Sequence, residues 1–236
     1  MKTIGFIGGT GWVSTLEYYR LLNEGVNARL GGVEAARCIV YSFNFGEIAR
    51  LKAGDPAQRR VRPLVVEAAR RLEAAGADGL VLCANTLHMF ADSVAAALAI
   101  PVIHTAEAVA AAVRAAGIAT VGLLGTRATM EQDFYRDRLA AAGIAALVPA
   151  EADRAFMDDA IMTEMVRGIF RLEVNQRFRD VIGELVGRGA EGIVLGCTEI
   201  PLLLQADAAA GVPLFDTLAI HARAAVDFAL EEMVNG

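Results

Sequence analysis

Two cysteines occupy matching places in two similar stretches of this chain. The stretches from Gly76 to Cys83 and from Gly189 to Cys197 both open with glycine, alanine and an acidic residue, then run apolar to the thiol. Small polar residues follow each cysteine. Because ligands bind at the carboxyl ends of parallel strands, both thiols are placed where a small molecule would sit. A pair of thiols flanking one carbon could remove a proton from one face and return one to the other.

Small polar residues after the predicted strand ends are candidates for holding a substrate. These residues are Asn85, Thr86, Thr126, Thr198 and Glu199. Their amide and hydroxyl groups, with nearby backbone N–H groups, could bind an α-carboxylate and an α-ammonium. Helix capping is the alternative role for such residues. Glu199 could orient either the substrate ammonium or the neighbouring thiol, with a first-turn helix acid as its ordinary role.

A glycine-rich turn follows the first predicted strand, at Gly8, Gly9, Thr10 and Gly11. A dinucleotide site would need an acidic residue at the end of the second strand, and that strand ends without one. A tight turn is the simplest interpretation. The functional interpretation is that backbone N–H groups at Gly9 and Thr10 face a small anion such as a carboxylate.

Cationic residues after the second strand could reach a carboxylate on a substrate side chain. We name Lys52 for this role, with Arg50 and Arg167 as alternatives. A solvated charged face is the more frequent role of such residues. A strand-end cysteine that enters a helix should also have a lowered thiol pKa, because the positive end of the helix favours the thiolate.

We expect a packing role for the remaining cysteine and a capping or packing role for the three histidines. Cys38 lies inside a predicted buried strand, where a free thiol behaves as a small hydrophobe. His88 follows Cys83 closely enough that a Cys-His dyad must be considered, although a helix would direct it away from the thiol. His104 and His221 share no metal-ligand spacing with it, so no metal site is expected.

The composition and charge of the chain limit the classes of protein to which it can belong. The chain has 236 residues, 55% hydrophobic and 21% charged, so a well-filled core is expected. The net charge is −6 and basic residues never occur more than two in a row, which disfavours nucleic-acid binding. No run is long enough to span a bilayer, and the first residues lack the pattern of a signal peptide. We expect no membrane partner, reduced thiols and a cytoplasmic protein.

Strand-like runs alternate with helical patterns along the whole chain. Strands are predicted at 3–7, 37–43, 79–82, 102–104, 119–124, 145–148, 192–195 and 213–215. Helices are predicted near 14–30, 56–75, 89–97, 106–116, 130–142, 155–170, 173–187 and 217–234. This alternation predicts an α/β fold in which mainly parallel sheets are flanked by helices.

The two halves of the chain repeat each other beyond the cysteines. The segment from Thr3 to Gly9 resembles that from Thr120 to Thr126, so two pseudo-symmetric lobes fit better than one long sheet. We expect residues 1–100 with 208–236 to form one lobe, with a returning C-terminal helix, and 101–207 the other. The cleft between lobes is the expected ligand pocket.

These motifs together resemble the aspartate/glutamate racemase family, whose members need no pyridoxal phosphate. The matching segments are Ile4–Gly11, Ser14-Thr15, Tyr18-Tyr19, Leu82–Thr86, Leu124–Thr126, Gln132–Tyr135, Gly196–Glu199 and Phe215–Thr217. The resemblance implies a two-lobe fold, commonly dimeric, with Cys83 and Cys197 as opposed acid and base and no cofactor. It also implies that Asn85, Thr86, Thr126 and Thr198 hold the carboxylate and ammonium of an amino acid.

We therefore expect an amino-acid racemase, with aspartate or glutamate as substrate and a broader range as an option. It would interconvert L and D forms by proton transfer between two cysteines. One alternative is a decarboxylase or isomerase of small diacids in the same superfamily. Another is a binding protein for amino acids that kept the cleft without catalysis. Exchange of the α-proton with solvent would distinguish a racemase from both.

Overall fold

The computed structural model describes residues 1–53, 55, 58–206 and 208–234. The chain forms two compact units. The first contains residues 1–104 and the chain from His221 onward, and the second contains Thr105–Ile220. Each unit is built around its own sheet, as expected for alternating apolar strands and amphipathic helices.

The first unit has a parallel sheet of four strands in the order β2-β1-β3-β4. The strands are β1 (Ile4–Gly8), β2 (Cys38–Ser42), β3 (Gly79–Leu82) and β4 (Val102–Ile103). The helices are α1 (Trp12–Leu30), α2 (Phe45–Lys52), α3 (Arg62–Ala74), a 3₁₀ helix (Asn85–Phe90) and α4 (Ala91–Ala95). β1 and β3 are fully buried, which explains their continuous apolar sequences.

The second unit has five strands in the order β6-β5-β7-β9-β8. They are β5 (Thr120–Gly125), β6 (Ala145–Leu147), β7 (Gly192–Gly196), β8 (Ala208–Ala209) and β9 (Val212–Asp216). The helices are α5 (Thr105–Ala115), α6 (Arg127–Glu131), α7 (Asp133–Ala141), α8 (Glu151–Thr163), a 3₁₀ helix (Met165–Arg167), α9 (Leu172–Gly187) and α10 (Ile200–Leu204). The last helix, α11 (Thr217–Val234), begins in this unit and continues into the first.

Both faces of the second sheet are buried, and alternate residues pack against opposite layers of helices. In β5, Val121 and Leu123 pack in one cluster, while Leu124 packs in another. In β7, Val194 joins the first cluster and Leu195 the second. This period of two follows from the alternation of side chains along a strand.

The predicted repeat is confirmed by the strand order. In both sheets the first strand of the unit lies between the second and the third. The third strand then pairs with β4 in the first unit and with β9 in the second. Only β8, which pairs antiparallel with β9, has no counterpart among the described residues. The two-sheet α/β prediction is therefore confirmed.

The unit boundaries differ from those expected from the sequence. The second unit extends to Ile220 rather than 207 because β9 pairs in parallel with β7, so this strand belongs to the second sheet. Its first boundary lies after His104 rather than after residue 100.

Within the described part of the chain, no helix combines the length and apolar character needed to cross a membrane.

Candidate active site

The two cysteines singled out by the sequence stand at corresponding positions of the two sheets. Cys83 directly follows β3 and Cys197 directly follows β7, and these are interior strands of their sheets. Both thiols are free. Cys38 differs because it begins β2, at the opposite end of its strand. It is half-buried, less buried than the sequence predicts.

Cys83 is almost completely enclosed in the first unit, with 2% of its surface exposed. Its backbone N–H donates to the carbonyl of Ile7 in β1 at 2.9 Å, which continues the β1–β3 pairing past the end of the strand. The buried Asn85 and half-buried Thr86 begin the 3₁₀ helix that follows. The local fold therefore places a thiol, an amide and a hydroxyl at the carboxyl edge of the sheet.

The glycine-rich turn lies at the same edge, after β1. Gly9 has a φ of 82°, and a Cβ there would lie 2.2 Å from the backbone oxygen of Phe43, so only glycine fits. Its N–H donates to the hydroxyl of Thr15 at 3.0 Å. The N–H group assigned above to a substrate anion is thus occupied within the fold, and Gly9 contributes the shape of the turn instead.

The next residue, Thr10, differs from Gly9 in its hydrogen bonding. Its hydroxyl oxygen is buried and has no hydrogen-bond partner among the described residues. A buried hydroxyl is costly unless it has a partner, so this oxygen is a candidate for contact with a bound molecule. From the sequence we considered only the backbone N–H of Thr10, whereas the structure singles out its side-chain hydroxyl.

Cys197 lies in a polar setting in the second unit. Its thiol donates to a carboxylate oxygen of Glu199 at 2.9 Å, and the hydroxyl of Thr198 donates to the same oxygen, also at 2.9 Å. All three residues are partly exposed. This arrangement allows Glu199 to accept the thiol proton, which favours the thiol-orienting role over the other roles considered from the sequence.

Both thiols have a raised pKa, and the prediction of a lowered pKa is wrong. Burial raises the pKa of Cys83 well above its ordinary value. Burial also raises the pKa of Cys197, and the negative charge of Glu199 and its hydrogen bond add to the effect. The helices after the two thiols have only six and five residues, so few peptide dipoles oppose the cost of burying a thiolate.

The ends of β5 and β9 also lie at the carboxyl edge of the second sheet. Thr126 caps α6, its hydroxyl accepting from the N–H of Thr129 at 3.5 Å. Capping was the alternative considered for this residue. Asp216 accepts from two N–H groups at the start of α11, at 2.9 and 3.2 Å, and burial raises its pKa. Thr217 donates to the carbonyl of Leu195 at 2.9 Å, which fixes the end of β7.

Lys52 is more buried than the other two cationic residues considered for the substrate side chain. It ends α2 and is half-buried, whereas Arg50 and Arg167 are exposed. Burial lowers the pKa of its ammonium, and no described residue forms an ion pair with it. An ammonium held partly out of water without a carboxylate is a favourable site for one.

The three histidines form a buried cluster with Tyr18 in the first unit. The ring of His88 lies 4.5 Å from that of His104 and 5.2 Å from that of His221, between centroids. The packing role predicted for them holds, but their mutual contact could not be seen in a sequence that separates them widely. Within the described residues, no cluster of histidine, cysteine or acidic side chains is arranged to hold a metal ion.

Comparisons with known proteins converge on one family. Residues 7–225 match the profile of the Asp/Glu/Hydantoin racemase family. The chain is similar to the crystal structure of a proposed Asp/Glu racemase from Yersinia pestis, at 45% identity and a TM-score of 0.91, covering 98% of this chain and all of that one. It is also similar to an aspartate racemase homologue from Pyrococcus horikoshii, at 33% identity and a TM-score of 0.81, covering 97% and 99% of the two chains.

Curated relatives of this chain include glutamate racemases. A glutamate racemase of Thermus thermophilus is 30% identical over 184 residues, which is 76% of this chain and 66% of the relative. This chain therefore spans about two thirds of the length of that relative.

Proposed function

Because the chain belongs to the Asp/Glu/Hydantoin racemase family, we propose that it is a cofactor-independent amino-acid racemase. The observation that carries the proposal is the paired thiol. One free cysteine follows the same interior strand of each of two sheets that share a strand order. A racemase needs an acid and a base for opposite faces of one carbon, and a duplicated α/β unit provides one from each copy.

We propose that Cys83 and Cys197 exchange the α-proton. One sulfur, as thiolate, takes the proton, and the other, as thiol, donates a proton to the opposite face. The electron pair left on the α-carbon spreads into the carboxylate, where hydrogen-bond donors stabilise the added negative charge. The roles of the cysteines exchange with the handedness of the substrate.

The raised pKa of each thiol means that a thiolate must be generated when substrate binds. A substrate α-ammonium brings a positive charge close to the sulfurs, and an adjacent positive charge favours the thiolate. Glu199 provides a second route at Cys197, since its carboxylate already accepts a hydrogen bond from the thiol and could take up its proton. We therefore assign Glu199 to the activation of Cys197, in addition to substrate binding by the polar residues.

The proposed substrate contacts come from the strand ends. The side chains of Thr10, Asn85, Thr86, Thr126 and Thr198 would hold the α-carboxylate and α-ammonium. The unpartnered hydroxyl of Thr10 supports this assignment most directly, because it lacks a partner among the described residues. Gly9 would shape the turn that brings this hydroxyl to the edge of the sheet.

We propose aspartate or glutamate as the substrate class. A relative named as an aspartate racemase homologue and another named as a glutamate racemase support this choice. So does the half-buried Lys52, which has no carboxylate of its own among the described residues. Its ammonium would bind the side-chain carboxylate of an acidic amino acid. Neutral amino acids would lack this contact.

We also propose that the protein is a cytoplasmic homodimer. Three apolar side chains on α1, Trp12, Leu16 and Tyr19, are 70%, 54% and 49% exposed and share one face of the helix. A second copy of the chain could cover them. Sedimentation velocity should show twice the chain mass for the wild type and a monomer for Leu16→Glu, and a wild-type monomer would contradict the proposal.

One experiment tests the proposed activity against the alternatives. Single amino acids with acidic, neutral and basic side chains are incubated with the enzyme in D₂O, and α-deuterium is followed by NMR. We expect exchange and loss of optical purity with acidic amino acids. Binding without exchange would favour a non-catalytic protein, and release of CO₂ from small diacids would favour the decarboxylase.

A further inference from the structure

The histidine cluster described above lies directly against the strand end that carries Cys83. His88, His221 and Tyr18 are all at most 2% exposed. The chain has three histidines, and all of them, His104 included, meet in this one cluster. Burying the polar atoms of an imidazole without partners is costly, so the hydrogen bonds of the cluster bear on its role.

Two of the rings have a defined tautomer. Nε2 of His88 lies 3.3 Å from the carbonyl oxygen of Leu82, and Nε2 of His221 lies 2.7 Å from that of Ile103. A carbonyl oxygen only accepts, so both Nε2 atoms carry the proton. In the neutral ring of His221, Nδ1 then accepts from the hydroxyl of Tyr18 at 2.9 Å. A protonated Nε2 cannot ligate a metal ion, so neither of these two nitrogens is a metal ligand in this arrangement.

The two carbonyls occupy related positions. Leu82 is the last residue of β3, and Ile103 is the last residue of β4, its neighbour in the sheet. Each strand thus ends on a carbonyl that a histidine from a later element binds. The carbonyl of Leu82 belongs to the peptide bond that leads into Cys83.

We infer that His88 is a positioning residue for Cys83, whose ring N–H fixes the peptide from which the thiol projects. On one side of this peptide the Cys83 N–H donates to the carbonyl of Ile7 at 2.9 Å, and on the other the Leu82 carbonyl accepts from His88. Both polar groups of one peptide are therefore held. His104 and His221 pack against the ring and hold it in place.

Fixing this peptide matters because proton transfer depends on the position of the sulfur. A displacement of about 1 Å at a reacting group can reduce the rate by roughly 100-fold. The inference rests on the proposed function, since Cys83 is one of its two thiols. It adds a residue that touches no substrate and acts through the backbone of the cysteine.

The test uses two variants of similar size, His88→Gln and His88→Met. A glutamine Nε2 is as many bonds from Cβ as the histidine Nε2, so it can donate to the same carbonyl, whereas methionine has no donor. Methionine tolerates irregular core space, so both variants are expected to fold. Tyr18→Phe serves as a control that disturbs the cluster but leaves the contact to Leu82 intact.

Two readouts are compared across these variants. The first is kcat and KM for α-deuterium exchange with aspartate and glutamate. The second is the ¹³Cβ NMR signal of Cys83, followed as a function of pH, with Cys197 in the same sample as an internal control. The second readout reports the environment of the thiol whether or not the protein is a racemase.

For His88→Met we expect kcat to fall roughly 10- to 100-fold with KM changed less than about threefold. Its Cys83 signal and titration should differ from wild type, while those of Cys197 stay unchanged. For His88→Gln both readouts should approach wild type, and Tyr18→Phe should lower the melting temperature only.

Equal behaviour of the Gln and Met variants in both readouts would overturn the inference, as would an unchanged kcat in His88→Met. If the wild type exchanges no α-proton with any amino acid, the proposed function fails instead. The Cys83 signals would then still decide whether His88 positions the thiol.

Discussion

Acidification should weaken the first unit through His221, whose side chain is completely buried. Burial lowers the pKa of this ring from 6.5 to about 4, against the opposing effect of its hydrogen bond to Ile103. The folded state therefore favours the neutral ring. Below pH 6.5 His221 is protonated in the unfolded chain but stays neutral in the folded chain, so the free energy of unfolding falls as the pH decreases.

The magnitude follows from the difference between the two pKa values. Each unit of difference corresponds to about 1.4 kcal/mol, so the stability lost between pH 6.5 and pH 4 is about 3 kcal/mol. Above pH 6.5 the ring is neutral in both the folded and the unfolded chain, so no stability is lost through His221. Below pH 4 it is protonated in both, and the loss grows no further. Tyr18 and His88 face the ring and remain in any His221 variant, so the difference between wild type and variant isolates this one group.

The assay is urea unfolding between pH 4 and pH 7.5 for wild type and His221→Gln. Hydrogen exchange of peptides that cover β3 and β4 reports the first unit separately. We expect the stability advantage of the wild type to shrink by about 3 kcal/mol as the pH falls from 6.5 to 4. Two stability curves that run parallel over this range would refute the reasoning.

Three further substitutions test the site. Gly9→Ala should cost more than about 1 kcal/mol and reduce activity, because the backbone is left-handed there and a Cβ would lie 2.2 Å from a backbone oxygen. Glu199→Gln should make Cys197 react with iodoacetamide roughly 3- to 10-fold faster while racemisation slows. The reason is that a hydrogen bond to a charged acceptor contributes about 1.5–3 kcal/mol, and part of the gain in thiolate is offset by its weaker nucleophilicity. Lys52→Met should raise KM for aspartate and glutamate at least about tenfold, the loss expected for one charged hydrogen bond, without changing KM for neutral amino acids.

Two of these substitutions have a matched control, and a contradicting result is stated for the third. Gly183→Ala lies inside α9 with open space around the new methyl group, and it should be neutral or stabilising. Unchanged alkylation of Cys197 in Glu199→Gln would contradict the role of the carboxylate. Lys52→Arg should keep most of the preference for acidic amino acids, and an equal KM effect on neutral amino acids in Lys52→Met would rule out the side-chain contact.

Much of the fold was predictable because buried parallel strands are continuous apolar runs. The strand at 79–82 was predicted with the observed bounds, and the other predicted strands differ by one residue at one or both ends. The two-residue strand Ala208–Ala209 was missed, since two alanines carry no strand signal. The helix predicted at 155–170 instead runs from Glu151 to Thr163, and a left-handed Gly168 ends the 3₁₀ turn that follows.

The chemistry of the site was less predictable than its residues. Cys83 and Cys197 were singled out as candidates from the repeat, but the effect of burial on their pKa depends on packing that a sequence does not reveal. The hydroxyl of Thr15 that occupies the Gly9 N–H also comes from a residue six positions away. The contacts of His88 with His221 join residues separated by most of the chain.

The most direct test of the two-thiol mechanism uses Cys83→Ser and Cys197→Ser, each incubated in D₂O with L- and D-forms of the same amino acid. Neither variant should racemise, because each lacks one of the two proton carriers. Each remaining thiol should still exchange the α-proton of one enantiomer, and the two variants should act on opposite enantiomers. Racemisation near the normal rate by either variant, or exchange of the same enantiomer by both, would contradict the account.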